Sequence, residues 1–184
     1  MNKELKKVIQ ISILVACACI FSLIDRLISN AILSLMPGVA VIIPSFKIGL
    51  ANIVILFIIY NYDFKYSFIA MLLKSILMGF IYGSLVTFII GFSGTLLSFF
   101  VMFLLSRLLN KSKMLYFISI CGGFFHIVGQ LLGSIVMYRL PLNTYLLYAP
   151  ILLVVGIFTG LLIGMITKQI IKLFDKKNIL EEDE

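Results

Sequence analysis

Apolar runs long enough to cross a lipid bilayer recur along the whole of this 184-residue chain, and they leave little from which a water-facing surface could be built. Apolar residues make up 62% and charged residues 12%, with a mean hydropathy of +1.17, against about 45–50% and about 25% in soluble domains. The bilayer must therefore be the solvent. A spanning helix needs about 20 mostly apolar residues, and six stretches qualify, at about 6–28, 45–61, 65–82, 85–108, 114–138 and 145–171. They are apolar on nearly all faces, whereas a membrane β-barrel would show short segments with every second residue polar. The predicted fold class is an all-α integral membrane protein, a six-transmembrane-helix bundle. The connections are short, so residues 1–184 read as a single transmembrane domain, with a basic N-terminus at 1–7 and a solvated tail at 172–184 ending in "EEDE". The opening "MNKELKK" resembles the start of a signal peptide, but the apolar run behind it is longer than usual and no A-x-A site follows, so it reads as an anchor.

Lysine and arginine set the orientation. With the N-terminus on the cytoplasmic side, six crossings put Lys3, Lys6, Lys7, Lys65, Arg107, Lys111, Lys113, Lys168, Lys172, Lys176 and Lys177 on that side, 11 of the 15 basic residues. Both termini are then cytoplasmic and the membrane is the cell's plasma membrane. The formal charge of +7 reflects this asymmetry and does not imply nucleic-acid binding. Cys17, Cys19 and Cys121 lie in apolar spans without C-x-x-C spacing, so they read as packing residues.

One segment departs from the pattern. In "SLMPGVAVIIPSFKIGLAN", residues 34–52, Pro37 and Pro44 interrupt an apolar run, and each removes a backbone donor. Irregular backbone at membrane depth survives only where protein or a water-filled cavity surrounds it. The segment is either an outer loop folded over the bundle or a broken start to the second span. Glycines four apart, Gly79/Gly83, Gly129/Gly133 and Gly156/Gly160/Gly164, put small residues on one helix face and let helices approach closely.

Against this background a few polar groups stand out. Lys74 lies near the middle of "FIAMLLKSILMGFIY", roughly 12 Å from either end of its helix at about 1.5 Å per residue, where a lysine costs about 2.5–3.5 kcal/mol to insert. No acid on its own helix can pair with it. Such a lysine either binds carbonyls, is held neutral by burial, or meets a ligand from inside the bundle. His126 and Gln130, in "GGFFHIVGQ", are one turn apart and share a face with Gly122, Gly129, Gly133 and Ser134. They form either an interhelical hydrogen-bonding pair or a pocket wall. Lys47 and Asn52 flank the start of the second span, and Arg139 lies at the outer end of the fifth as an interfacial anchor or a site residue. Asp25 and Arg26 are neighbours able to pair with each other. The outer half and core thus carry Arg26, Lys47, Lys74 and Arg139 against Asp25 alone. A concave site of that sign favours an anionic ligand, and its apolar remainder suits a partly apolar one.

Several chemistries find no support. "LLKS" around Lys74 lacks the glycines of a P-loop. The spans offer no His/Asp/Glu cluster for a metal. Asp25 and Asp63 lie too far apart to hold Mg²⁺ on a diphosphate. The chain reads as a non-enzyme without cofactors, and a binding or transport role leads.

The segments "KIGLAN" (47–52), Lys74, "YGS" (82–84), "FSGTLLS" (92–98) and "HIVGQ" (126–130) resemble, in order over about residues 35–165, the family labelled Gx transporter and also heptaprenyl diphosphate synthase component I. That family is similar to the substrate-binding S components of energy-coupling-factor (ECF) transporters, which are six-helix bundles with an outward-facing pocket gated by the loop after helix 1. The resemblance implies capture of a small substrate, with ATP hydrolysis left to an ECF-type transmembrane protein and its ATPases. Lys47, Asn52, Lys74, His126 and Gln130 would line or support the pocket, with Arg139 at its outer side and residues 34–47 as the gate. S components dock through Ala-x-x-x-Ala on helix 1, where this chain has Ser12/Ala16 and Ala18/Ser22. The expected partners are a small anionic substrate, vitamin- or isoprenoid-related, membrane lipid and the ECF module. The enzyme label implies a different role, a non-catalytic membrane accessory subunit of prenyl diphosphate or quinone synthesis.

Overall fold

The computed structural model describes residues 3–182, with side chains over 4–175. Seven helices follow one another: α1 (Lys3–Leu35), α2 (Pro37–Ile42), α3 (Asn52–Asn61), α4 (Phe64–Tyr82), α5 (Leu85–Leu108), α6 (Leu115–Tyr138) and α7 (Leu142–Glu182). Five of them, α1 and α4 to α7, are long and apolar enough to cross a membrane, and their outer faces expose Leu, Ile and Phe side chains throughout. This is a membrane protein built of helices, as the apolar runs predict. The segments expected at 65–82, 85–108 and 114–138 coincide with α4, α5 and α6 to within a residue. The first is longer than expected, because nothing in "LISNAILSL" stops a helix before Pro37. The tail expected at 172–184 continues α7 as helix through Glu182, and the side chains of "EEDE" lie outside the described residues.

The expected second span is the main difference. Only Asn52–Asn61 of it is helical, 10 residues, about 15 Å at 1.5 Å per residue. Pro37 starts the short α2 at its first turn. The chain then runs as turn and irregular backbone from residue 43 to 51. Gly49 takes φ +94°, a left-handed conformation that suits glycine. Helix α3 is buried from Asn52 through Ile59, enclosed by α1, α4, α5 and α7. Its sequence has no polar face, as expected of a helix surrounded on all sides.

The other half of the bundle closes on glycine. Helix α6 packs along both α5 and α7. A methyl group placed at Gly129 would lie 2.5 Å from the Ser93 carbonyl oxygen of α5, and one at Gly160 2.7 Å from the Ser119 carbonyl of α6. Ser93 Oγ donates to the Gly129 carbonyl at 2.8 Å, and Ser119 Oγ donates to that of Gly160 at 2.6 Å. Gly79 and Gly83 are not such a seam. Gly83 ends α4 with φ +61° and has open space around it, whereas Gly79 receives the Phe88 ring of α5.

One end of the bundle gathers the basic residues. Lys111 Nζ donates to the Tyr60 carbonyl at 2.6 Å, Lys168 sits 4.4 Å over the Tyr116 ring, and Lys7 pairs with Glu4 at 3.3 Å beside Tyr66. The opposite end holds the α4–α5 turn, the C-terminus of α1 and Arg139.

Candidate functional site

The irregular segment 43–51 needs acceptors and donors for its backbone, because it sits inside the bundle. Helices α1 and α6 supply them. Asp25, 2% exposed, is turned inward from α1. Its Oδ1 accepts from Ile48 N at 2.8 Å and Ser29 Oγ at 3.0 Å, and its Oδ2 accepts from Gly49 N at 2.8 Å and Leu50 N at 3.0 Å. The carboxylate thus closes the turn that leads into α3, where negative charge also suits the helix dipole. Gln130, fully buried on α6, clamps Lys47 from the other side: its Oε1 accepts from Lys47 N at 2.8 Å and its Nε2 donates to the Lys47 carbonyl at 2.7 Å. Ser134 Oγ, one turn further along α6, donates to the Ile42 carbonyl. Asn52 Nδ2 donates to Ser98 Oγ of α5 at 3.2 Å.

Fixing the Lys47 backbone sends its side chain between α4 and α5. The ammonium lies 4.2 Å from the centre of the Tyr82 ring, and the Arg26 guanidinium lies 4.5 Å from the centre of the same ring. Tyr82 is held in turn by its hydroxyl, which donates to the Ser22 carbonyl at 2.8 Å. Gly91 makes the room, since a methyl group there would lie 2.8 Å from Lys47 Nζ. Lys47 and Lys74 both line a small cavity of about 20 Å³, with Ser75, Gly79, Tyr82, Phe88 and Thr95, space for about one water. Lys74 is 8% exposed, and among the described residues no carboxylate comes within 4 Å of it or of Lys47. The Ser75 hydroxyl, on the same wall, is buried without a hydrogen-bond partner. Outside Lys47 a second cavity of about 150 Å³ is lined by Arg26, Asn30, Pro44, Ser45, Phe46 and Thr87. Three cations, Arg26, Lys47 and Lys74, thus face two cavities that meet at Lys47, and the nearby carboxylate, Asp25, is already bonded to four donors. Such an arrangement can bind an anion; a metal cation has no claim on it, and the described residues contain no group of three His, Cys, Asp or Glu able to hold one.

Of the six residues singled out from the sequence, the structure brings five around one segment. Lys47 and Lys74 line the cavity, while Gln130 and Asn52 hold the backbone and the neighbouring helix. His126 is 2% exposed, packed under Gly49 and beside Gly94, and neither ring nitrogen has a hydrogen-bond partner. Arg139 stands apart, exposed as the C-cap of α6 with φ 51°. Arg26 and Asp25 do not serve each other: one turns to Tyr82 and the other to the backbone of 48–50. Tyr82 enters the sequence reading only within "YGS" and Ser75 only beside Lys74, and neither is given a role there, since an aromatic and a serine in an apolar helix are ordinary. The sequence signal for Asp25 was an acid in a span that precedes a proline-broken run.

Lipid-facing helices around an interrupted, polar-lined centre define a multi-pass membrane protein. Residues 14–170 match the family model described as heptaprenyl diphosphate synthase component I, and the chain belongs to that family. No curated protein and no solved structure matches it.

Proposed function

We propose that the chain is the substrate-binding membrane component of a transporter for a small, anionic, partly apolar molecule. The observation that carries this reading is Lys74: a buried lysine without a carboxylate, next to a second lysine and an unpartnered hydroxyl on one cavity wall. A lysine at membrane depth is expensive unless something meets it, and an anion would satisfy both ammonium groups and Ser75 together. Lys47 and Arg26 draw the anion through the outer cavity. Gln130 and Asn52 act as positioning residues, His126 is the hydrogen-bonding group held beneath Gly49, and Arg139 contributes charge at the outer rim. The segment 36–51 with α3 makes a sixth, broken crossing of the kind that lines transporter sites, within a single domain whose termini both lie on the cytoplasmic side of the plasma membrane. Ser12 and Ala16 face outward on α1, where an ECF-type partner with ATPases would dock, while Ala18 and Ser22 are buried.

Lys74→Met tests the reading. Uptake, and ligand retained through gentle solubilisation and seen by native mass spectrometry, should both fall by about tenfold or more, the equivalent of 1.4 kcal/mol. A well-folded Lys74→Met protein with unchanged binding and uptake would sink it. The family description favours a second reading, a non-catalytic accessory subunit of prenyl diphosphate synthesis. That reading expects co-purification with a soluble, aspartate-rich synthase and no small ligand, whereas the transporter expects a scaffold protein and ATPases.

A further inference from the structure

The anion reading leaves one concavity unused. At the end of the bundle opposite the basic residues, α4 and α5 leave a groove of about 340 Å³, lined by Ile76, Gly79, Phe80, Gly83, Leu85 and Phe88 with Ser84 at their turn. It opens on the lipid face, with Phe80 82% and Leu85 71% exposed. Its one hydroxyl, Ser84 Oγ, accepts from Thr87 N at 3.3 Å as the cap of α5. The notch exists because two residues have no side chain: nothing lies within 4 Å of a methyl group placed at Gly83, and the Phe88 ring rests against Gly79. Gly79 and Phe88 also line the small cavity that holds Lys47 and Lys74. The Phe88 ring, 2.6 Å from where a Gly79 methyl would be, therefore lines both the apolar groove open to lipid and the cavity of the paired lysines.

We propose that this groove holds the tail of a membrane-dissolved, single-chain amphiphile whose phosphate headgroup is bound by Lys47 and Lys74. The inference rests on the anion reading and specifies its substrate class and its route: the ligand comes sideways from the bilayer, and Phe88 is the door. Charge complementarity selects the headgroup, because a zwitterion or neutral lipid would leave the second ammonium unmet. The apolar lining and its exposure to lipid select the tail. The Lys47 ammonium rests on the Tyr82 ring, a cation–π contact that a phosphate can replace.

The test uses the full chain in nanodiscs of zwitterionic lipid and a hexadecyl phosphate with a diazirine at the tail end. Labelling should concentrate on Ile76, Phe80 and Leu85, fall by about tenfold in Lys74→Met, and be displaced better by unlabelled hexadecyl phosphate than by butyl or inorganic phosphate. Displacement independent of chain length would overturn the groove while leaving an anion site at Lys74. Even labelling around α1, α4 and α5, indifferent to Lys74→Met, is the behaviour of surrounding lipid and would also overturn it. So would discs containing two copies of the chain with Phe80 unlabelled, which would make Gly79 and Gly83 a contact between copies. Lys74→Met removes a buried charge and should fold; circular dichroism and elution volume matching the parent protein check this.

Discussion

Helices α5, α6 and α7 are held together in one way, and the segment from Pro37 to Ala51 in another. In the first region the backbone stays helical, in α7 even past Pro150, and what remains is to bring the helices close, which Gly129, Gly156 and Gly160 do by omission. In the second the backbone leaves the helix inside an apolar bundle, and side chains must replace the missing partners. Asp25, Gln130 and Ser134 do so with six hydrogen bonds to the segment's backbone, none longer than 3.0 Å. The difference shows how to read polar residues in a membrane chain. Asp25, Gln130 and Ser134 are consumed by broken backbone, and Thr95, Ser106 and Ser119 by helix carbonyls; Lys74, Ser75 and His126 are left to ask for a ligand.

The comparison breaks first at Asp25. Asp25→Ala takes the carboxylate from three N–H groups, leaving Ile48 only the longer bond to Ser29 Oγ, and at about 1–3 kcal/mol each the loss should reach about 4 kcal/mol. Hydrogen exchange should rise at Ile48, Gly49 and Leu50 while the amides of α6 and α7 stay protected. Exchange that rises equally in both regions would mean that the bundle does not divide in this way. A smaller effect belongs to the seam. In Gly160→Val the new side chain meets backbone atoms of Ser119 and Ile120, at 2.7 and 2.8 Å from its Cβ, which cannot swing aside. The overpacking should cost about 1–3 kcal/mol in thermal unfolding and leave exchange at 48–50 unchanged. Loss of protection at 48–50 in this variant would instead couple the two regions.

What the sequence made legible follows the same division. The glycine seams of α6 and α7 could be read because their signal is local, a spacing of four on one strand of chain. The end points of α4, α5 and α6 could be read because polar turns interrupt apolar runs. The break at Pro37 and Pro44 was visible, but its consequence was not: α3 falls short of a full span because backbone donors at 48–50 are captured by a carboxylate 23 to 25 positions earlier, and no pattern in the chain records a side chain reaching that far. For the same reason Gln130 could be placed on the right face without its task being evident. It reads as a pocket residue until Lys47 is seen across from it, 83 positions away in sequence. Lys74 needed no partner to be noticed, since its cost in an apolar helix is intrinsic.

The smallest test separates two glycines that the sequence presents alike, Gly160 and Gly83, each with another glycine four residues away. At Gly160 the constraint is space, whereas at Gly83 it is conformation, since φ is +61° and nothing lies within 4 Å of an added methyl group. Gly83→Ala should therefore cost about 1 kcal/mol, the penalty for an L-residue in left-handed backbone, despite empty surroundings. Gly83→Asn should cost less, because asparagine visits that conformation more readily. Thermal unfolding in nanodiscs reads both. If alanine and asparagine were equally harmless, the turn would not be fixed by backbone conformation. If both were as damaging as Gly160→Val, Gly83 would be a contact after all, and the notch between α4 and α5 would be filled by something that packs against it.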